Sequence, residues 1–364
     1  MRRAGLDVLP TAARLAKDPD AGVRREAAVA LRDVPAAQSL DLLVDIARGF
    51  DGQDRSYLEA LGTGATGKEA ALYDRLRPSA GRDPLEWPRA FAWIAWRLHV
   101  PASVADVAAR ANGTNLSPAD RKLAVDTLAF INDPAAPKAM LTLAAPNHPM
   151  REPATWWLLN RLSNSWSDYG LRPALKAAGI YDPDAIVLRD VTVPKPTADL
   201  PQLSLEEIDR LTGNATRGKA AAVRCYMCHA IAGIGADFGP TLDGWARGKS
   251  ADVIARAIVS PGAEIAQGYE STEVKTKDGL TIEGVVLKEG DPLMLRSMGG
   301  VTQLIPADRV GSRRRLPGSL MMSAAQMGLS AQDVADIVAY LRGDRKSTRL
   351  NSSHVSESRM PSSA

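Results

Sequence analysis

The sequence predicts a mainly α-helical chain in two parts, the second interrupted by a small antiparallel sheet. Three observations predict it. Apolar residues recur with helical spacing through the first half. Six of the seven tryptophans fall between Trp87 and Trp166, and only Trp245 lies beyond, which implies two separately built cores. Between Glu273 and Ile305 the apolar period shortens to two. A hydrophobic content of 45% is ample for both cores. The 364 residues suit two domains.

The first helix signals lie in residues 18–31. Asp20 stands where a helix N-cap is needed, and Val23, Ala27, Val29 or Ala30, and Leu31 share one face. Small alanines let neighbouring helices approach, and Arg24 and Arg25 are expected to stay solvated. Trp87 to Leu98 reads as a tryptophan-rich helix, and residues 156–159 as part of another. Aromatic stripes at this spacing belong to packing cores more often than to ligand pockets. Ser117-Pro118-Ala119-Asp120 opens a further helix with Leu123, Val125, Leu128 and Ala129 as its apolar stripe, and Asn132-Asp133-Pro134 ends it. Met140, Leu141, Leu143 and Ala144 mark the next. Residues 18–31 resemble a HEAT repeat, which implies an α-solenoid over residues 1–180 with a concave binding face. His99 and His148 have no ligand-spaced companion and are expected to cap or face solvent.

Residues 181–203 read as a Pro-rich linker, from Asp182-Pro183-Asp184 through Val193-Pro194-Lys195-Pro196. The second domain is expected over 204–343. Ser204-Leu205-Glu206-Glu207 is a capping box, Ile208 and Leu211 supply the apolar face, and Gly213-Asn214 stops the helix. A helix from Gly218 leads to Cys225. Residues 252–258 form a short amphipathic helix ended by Ser260-Pro261-Gly262. The sheet insert is expected at about 270–310, with Asp278-Gly279 and Gly299-Gly300 as hairpin turns. Residues 329–333 cap a last helix, whose face carries Val334, Ile337, Val338 and Leu341.

Cys225-Tyr226-Met227-Cys228-His229 is the most informative stretch, and it holds the only two cysteines. Cys-x-x-Cys-His is the attachment pattern of a c-type haem. Two thiols at this spacing can each bond one haem vinyl group, and the histidine is placed as proximal iron ligand. A structural zinc site needs four Cys/His ligands, and no second pair exists. A thioredoxin-like site needs a βαβ context, and no strand precedes this motif.

Residues 204–343 resemble the haem-binding domain of large multidomain cytochromes of planctomycetes and verrucomicrobia. The resemblance rests on Cys-x-x-Cys-His, Phe238-Gly239-Pro240-Thr241-Leu242 with its Gly-Pro-x-Leu, Ser260-Pro261 followed by Gly268-Tyr269, the Asp278-Gly279 hairpin, Ser319-Leu320-Met321, and Tyr340-Leu341 near the end. It implies a cytochrome c-like helical domain with one covalent haem c. It also implies that the Pro240 carbonyl orients the His229 ring, with Leu242 beside it, and that Met321 is the distal iron ligand. The family usually shows Ser-Leu-Met-Pro, whereas Met322 stands at the proline position here. Met322 and then Met327 are the alternatives, while Met294 and Met298 sit in the expected sheet. Residues 230–343 contain no histidine, so a local second His ligand is excluded.

Haem of this type is attached outside the cytoplasm, in the periplasm or an equivalent compartment. The stretch Met1-Arg2-Arg3-Ala4-Gly5-Leu6-Asp7 is no signal peptide, and no segment reaches the length of a membrane span. The expectation is a chain that lacks its true start, and the resembled family often carries a dehydrogenase domain upstream. Residues 344–354 and 358–364 resemble two blocks of a translated sequencing adapter, so 344–364 are expected to lie outside the fold. The formal charge of +3 and the lack of a basic, aromatic-interleaved stripe argue against nucleic acid. No paired carboxylates, nucleophile elbow, phosphate loop or metal triad points to an enzyme proper. The expected function is electron transfer from a dehydrogenase domain or a redox partner protein to a periplasmic acceptor. A haem-based ligand sensor and a helical-repeat interaction scaffold are the alternatives.

Overall fold

The computed structural model describes residues 7–195, 200 and 203–343. Residues 1–6, part of the expected linker and the adapter-like tail 344–364 lie outside the described residues. The protein is mainly helical with one five-stranded antiparallel sheet, and it divides into two compact units, Met1–Asp182 and Pro183–Ala364.

Among its described residues the first unit has eleven α-helices: Leu9–Leu15 (α1), Ala21–Ala30 (α2), Ala36–Arg48 (α3), Arg55–Gly64 (α4), Glu69–Leu76 (α5), Arg89–Leu98 (α6), Val104–Asn112 (α7), Pro118–Phe130 (α8), Ala135–Leu143 (α9), Arg151–Arg161 (α10) and Arg172–Ala177 (α11). Their packing runs in rows. Along one row α2 meets α4, α4 meets α6, α6 meets α8 and α8 meets α10; beside it α1 meets α3 and α3 meets α5, and further on α7 meets α9.

Asp20 caps α2 by accepting from the Gly22 and Val23 amides. Ala27, Ala28 and Leu31 turn inward, but Val29, expected near that face, is 40% exposed. Arg24 is not solvated as expected. Its guanidinium donates to the Tyr57 hydroxyl, to the Asp18 and Pro19 carbonyls and to the Gly49 carbonyl, joining the start of α2 to the end of α3. The aromatic stripes form the core. Trp93, Trp96, Phe130, Trp157 and Trp156 contact one another in sequence, each pair edge-to-face at 4.7–6.3 Å between ring centres. The Trp166 indole is fully buried and donates to the Ile131 carbonyl.

The second unit contains Leu205–Asp209 (α12), Ala215–Ala221 (α13), Ala251–Val259 (α14), strands Ser271–Thr276 (β1), Thr281–Lys288 (β2), Leu293–Arg296 (β3), Thr302–Ile305 (β4) and Val310–Arg315 (β5), and Ala331–Gly343 (α15). Ser204 caps α12 as the capping box predicts. Asn214 caps α13, so this helix begins three residues before the expected Gly218.

Helix α13 lies directly on α15. A Cβ at Gly213 would stand 2.2 Å from the Ala335 carbonyl oxygen, and one at Gly218 would stand 1.9 Å from that of Asp336. Only glycine lets the two backbones approach this closely. Buried Asp336 locks the crossing: it accepts from the Asn214 amide and from Arg217 through Nε and Nη2. Arg217 holds the Asp336 carboxyl below the usual carboxylate range.

The sheet order is β4-β3-β2-β1-β5. Gly279 takes a positive φ of 92° in the β1–β2 turn, as the Asp-Gly signal predicts. One face buries Val274, Ile282, Leu293, Leu295 and Ile305 together with Leu188. The strand β5 was not expected, and the sheet therefore extends to Arg315. The stretch expected to be linker also differs in part. Val191 bridges Ile282 in parallel, Arg189 exchanges two hydrogen bonds with the Gln303 side chain, and the Val193 amide donates to Glu283. Residues 186–193 thus pair with the sheet, because their backbone groups find partners there.

Candidate functional site

Helix α13 continues into a 3₁₀ turn over Ala222–Met227, and the His229 amide donates back to the Cys225 carbonyl at 2.8 Å. Helical spacing of three and four residues places Cys225, Cys228 and His229 on one side of this turn. All three line a single cleft, part of it open to solvent. Pro240, Leu242 and Met321 line the same cleft, so it gathers the five expected cofactor-binding residues and the first-choice methionine.

The two thiols are free, Cys225 buried and Cys228 half-buried. Burial, and next the neighbouring Cys228, pushes the Cys225 thiol up to about 11, only partly opposed by Arg224. Burial raises Cys228 as well. His229 is 7% exposed, and its Nδ1 lies 2.6 Å from the Pro240 carbonyl oxygen. A carbonyl only accepts, so Nδ1 carries the proton and Nε2 is left as the metal-competent nitrogen. Burial lowers the imidazole's basicity, and the Pro240 carbonyl opposes that in part. Gly239 also stands against the ring. A Cβ there would meet His229 Cε1 at 2.5 Å, so the loop passes over the imidazole only as glycine.

Met321 sits on a loop whose turn is fixed by its own amide donating to Ser319 Oγ at 3.0 Å. Met322 is half-buried and does not line the cleft, while Met327 packs against the helical core. Met294 is buried in the sheet, and Met298 packs near Phe238, Val285 and Leu320. His99 caps α6 in a left-handed conformation with Nδ1 near the Trp96 carbonyl. His148 Nδ1 accepts from the Met150 amide. Both histidines are engaged locally.

The rest of the lining is mostly apolar and includes Phe238, Trp245, Ile258, Ile265, Val285 and Leu341. Sequence reasoning assigned none of these to the site. Val285 comes from the inserted sheet, and no local pattern could attach it to a motif 57 positions earlier. Tyr269, which also lines the cleft, stood in the resemblance without a role.

Among the described residues no group of three or more His, Cys, Asp or Glu side chains is arranged to hold a metal ion. No described helix is long and apolar enough to cross a membrane. The chain matches no known family model, and no curated protein matches it.

The donor set suits a covalently held haem: two free thiols, one imidazole with its far nitrogen engaged, one thioether, and an apolar wall around them.

Proposed function

We propose that this chain is a monohaem c-type cytochrome module attached to a HEAT-like helical array, passing single electrons from a dehydrogenase domain or partner to an acceptor in the periplasm or an equivalent compartment. The observation that carries the reading is the convergence of Cys225, Cys228 and His229 on one apolar cleft, with the Pro240 carbonyl on His229 Nδ1. The close crossing of α13 and α15 supports the cytochrome c-like reading, and the rows of paired helices support the HEAT-like one.

Haem, when bound, supplies a one-electron ferric/ferrous couple. Cys225 and Cys228 would hold the group covalently through its two vinyl substituents. His229 offers Nε2 to the metal, and the Pro240 carbonyl fixes the tautomer and strengthens Nε2 as a donor. Met321 offers a thioether, a soft ligand that favours the reduced state. His229 and Met321 would together hold the iron and leave it no open position for a substrate, which is why the module is read as a carrier rather than an enzyme. The apolar lining would limit the water around the group.

The test is the full chain matured in a periplasm with a cytochrome c maturation system. Haem should survive acid–acetone extraction from wild type and be lost when both cysteines are replaced. Met321→Ala should abolish the weak near-infrared band of Met–iron ligation and lower the reduction potential, and Met322→Ala and Met327→Ala should keep the band. Haem extracted from wild type overturns the assignment. A wild type without the band removes the carrier reading and favours a ligand sensor.

A further inference from the structure

Arg296 ends β3 directly opposite Val285, so the two side chains share one sheet face, and Val285 lines the cleft. Only 14% of the Arg296 side chain is exposed. Its guanidinium leaves the sheet. Nη1 donates to the Asp237 main-chain carbonyl at 2.6 Å and to Asp237 Oδ2 at 2.5 Å, while Nε reaches Thr302 Oγ1 at 3.4 Å.

Asp237 opens the loop that serves the histidine. The next two amides, Phe238 and Gly239, both donate to the Cys228 carbonyl, at 3.1 and 2.6 Å. The following carbonyl, that of Pro240, accepts from His229 Nδ1. Apolar contacts reinforce the link: Phe238, Val285 and Leu320 are buried together, with Cys228 and Tyr269 against them. Arg296 is thus tied by hydrogen bonds to Asp237, and Asp237 by three residues of loop backbone to the Pro240 carbonyl on the imidazole. An exposed arginine–carboxylate pair would be worth little. The Asp237 carboxylate is 61% exposed and adds little, but the largely buried arginine also holds a main-chain oxygen, so its loss frees the loop itself.

We propose that the inserted sheet is a positioning element for the histidine site, and that Arg296 is its positioning residue, holding through Asp237 the loop that orients His229. The proposal rests on the cytochrome reading for what His229 would hold, and on the loop geometry alone for how His229 is held.

Native-state hydrogen exchange on the full chain, matured and reduced, tests it. In wild type the Gly239 amide and His229 Nδ1–H should open together with the Leu295 amide of β3. Arg296→Gln should speed exchange at Gly239 and His229 about tenfold while Leu295 stays protected. Arg313→Gln serves as control, since Arg313 pairs with Glu289 elsewhere on the sheet and should leave those rates unchanged. Unchanged rates in Arg296→Gln, or equal acceleration in Arg313→Gln, overturn the proposal. If Arg296→Gln does not fold, wild type decides alone: Gly239 opening independently of Leu295 overturns it. A haem stain on a denaturing gel separates the two readings. Wild type without stain removes the cytochrome reading, and the exchange pattern of the same chain still decides the positioning role.

Discussion

Replacing Gly218 by alanine sets two effects of opposite sign against each other. Gly218 lies inside α13, where alanine should favour the helix by about 1 kcal/mol. The added Cβ would lie 1.9 Å from the Asp336 carbonyl oxygen and 2.9 Å from the Ile337 nitrogen, where ordinary contact begins at 3.4 Å. About 1.5 Å of clearance is missing, and both obstacles are backbone of α15, which no rotamer change can move. Overpacking of this kind costs about 1–3 kcal/mol, and the rigid partner puts Gly218 at the upper end. The two helices must part, loosening Ala221, Ile337 and Leu341 in their shared core. The net expectation is a loss of about 2 kcal/mol. Six of the seven tryptophans lie in the first unit, so fluorescence would report mostly on the wrong core. Hydrogen exchange at the Ile337 and Val338 amides reads the second unit directly, and the rates should rise about 30-fold. A Gly218→Ala protein with slower exchange there would mean that propensity alone governs the site and that the close crossing is wrong.

Two further predictions concern ionisation. In the chain without cofactor, a Cys225 thiol pushed from an ordinary 9.0 to about 11 should hold about 100-fold less thiolate at pH 8. Iodoacetamide labelling of Cys225, followed by mass spectrometry, should still accelerate above pH 10; a plateau near pH 9 would show that the cleft does not bury it. Asp336, depressed by Arg217, stabilises the fold above its unfolded value of 3.8, and that contribution fades as pH falls through the lower folded value. Asp336→Asn should therefore be less stable than wild type at pH 6, with the gap in α15 amide protection closing as the pH drops below about 3.8; a gap that stays constant would refute the linkage.

What could be read in the sequence was local. The Asp20 and Ser204 caps, the Asp278-Gly279 turn and the aromatic helices each declare themselves within a few residues. So does Cys-x-x-Cys-His, because its spacing is set by one helical turn. The strand β5 does not, since Val-Gly-Ser-Arg-Arg-Arg has no alternation of apolar and polar residues. It is an edge strand whose arginines find carboxylates across the sheet: Arg314 on Glu273 and Arg313 on Glu289. Residues 186–193 look like a free linker because prolines surround them, yet their backbone groups pair with β2 and with Gln303.

Glycines give the clearest case of what a single sequence hides. Gly213 reads as a helix stop, Gly218 as the start of a helix and Gly239 as half of a turn. In the folded chain all three mark places where another group comes too close for a Cβ: the α15 backbone for the first two, the His229 ring for the third. These contacts join parts of the chain that local pattern treats separately, α13 to α15 across more than a hundred residues and the loop to the imidazole across ten. Periodicity tells which face of an element is apolar, but not how near its neighbour stands. The pentapeptide therefore names the chemistry, while the site is assembled by residues whose own sequence signal is weak: Gly239 over the ring, Pro240 on Nδ1, and Arg296 behind the loop that carries both.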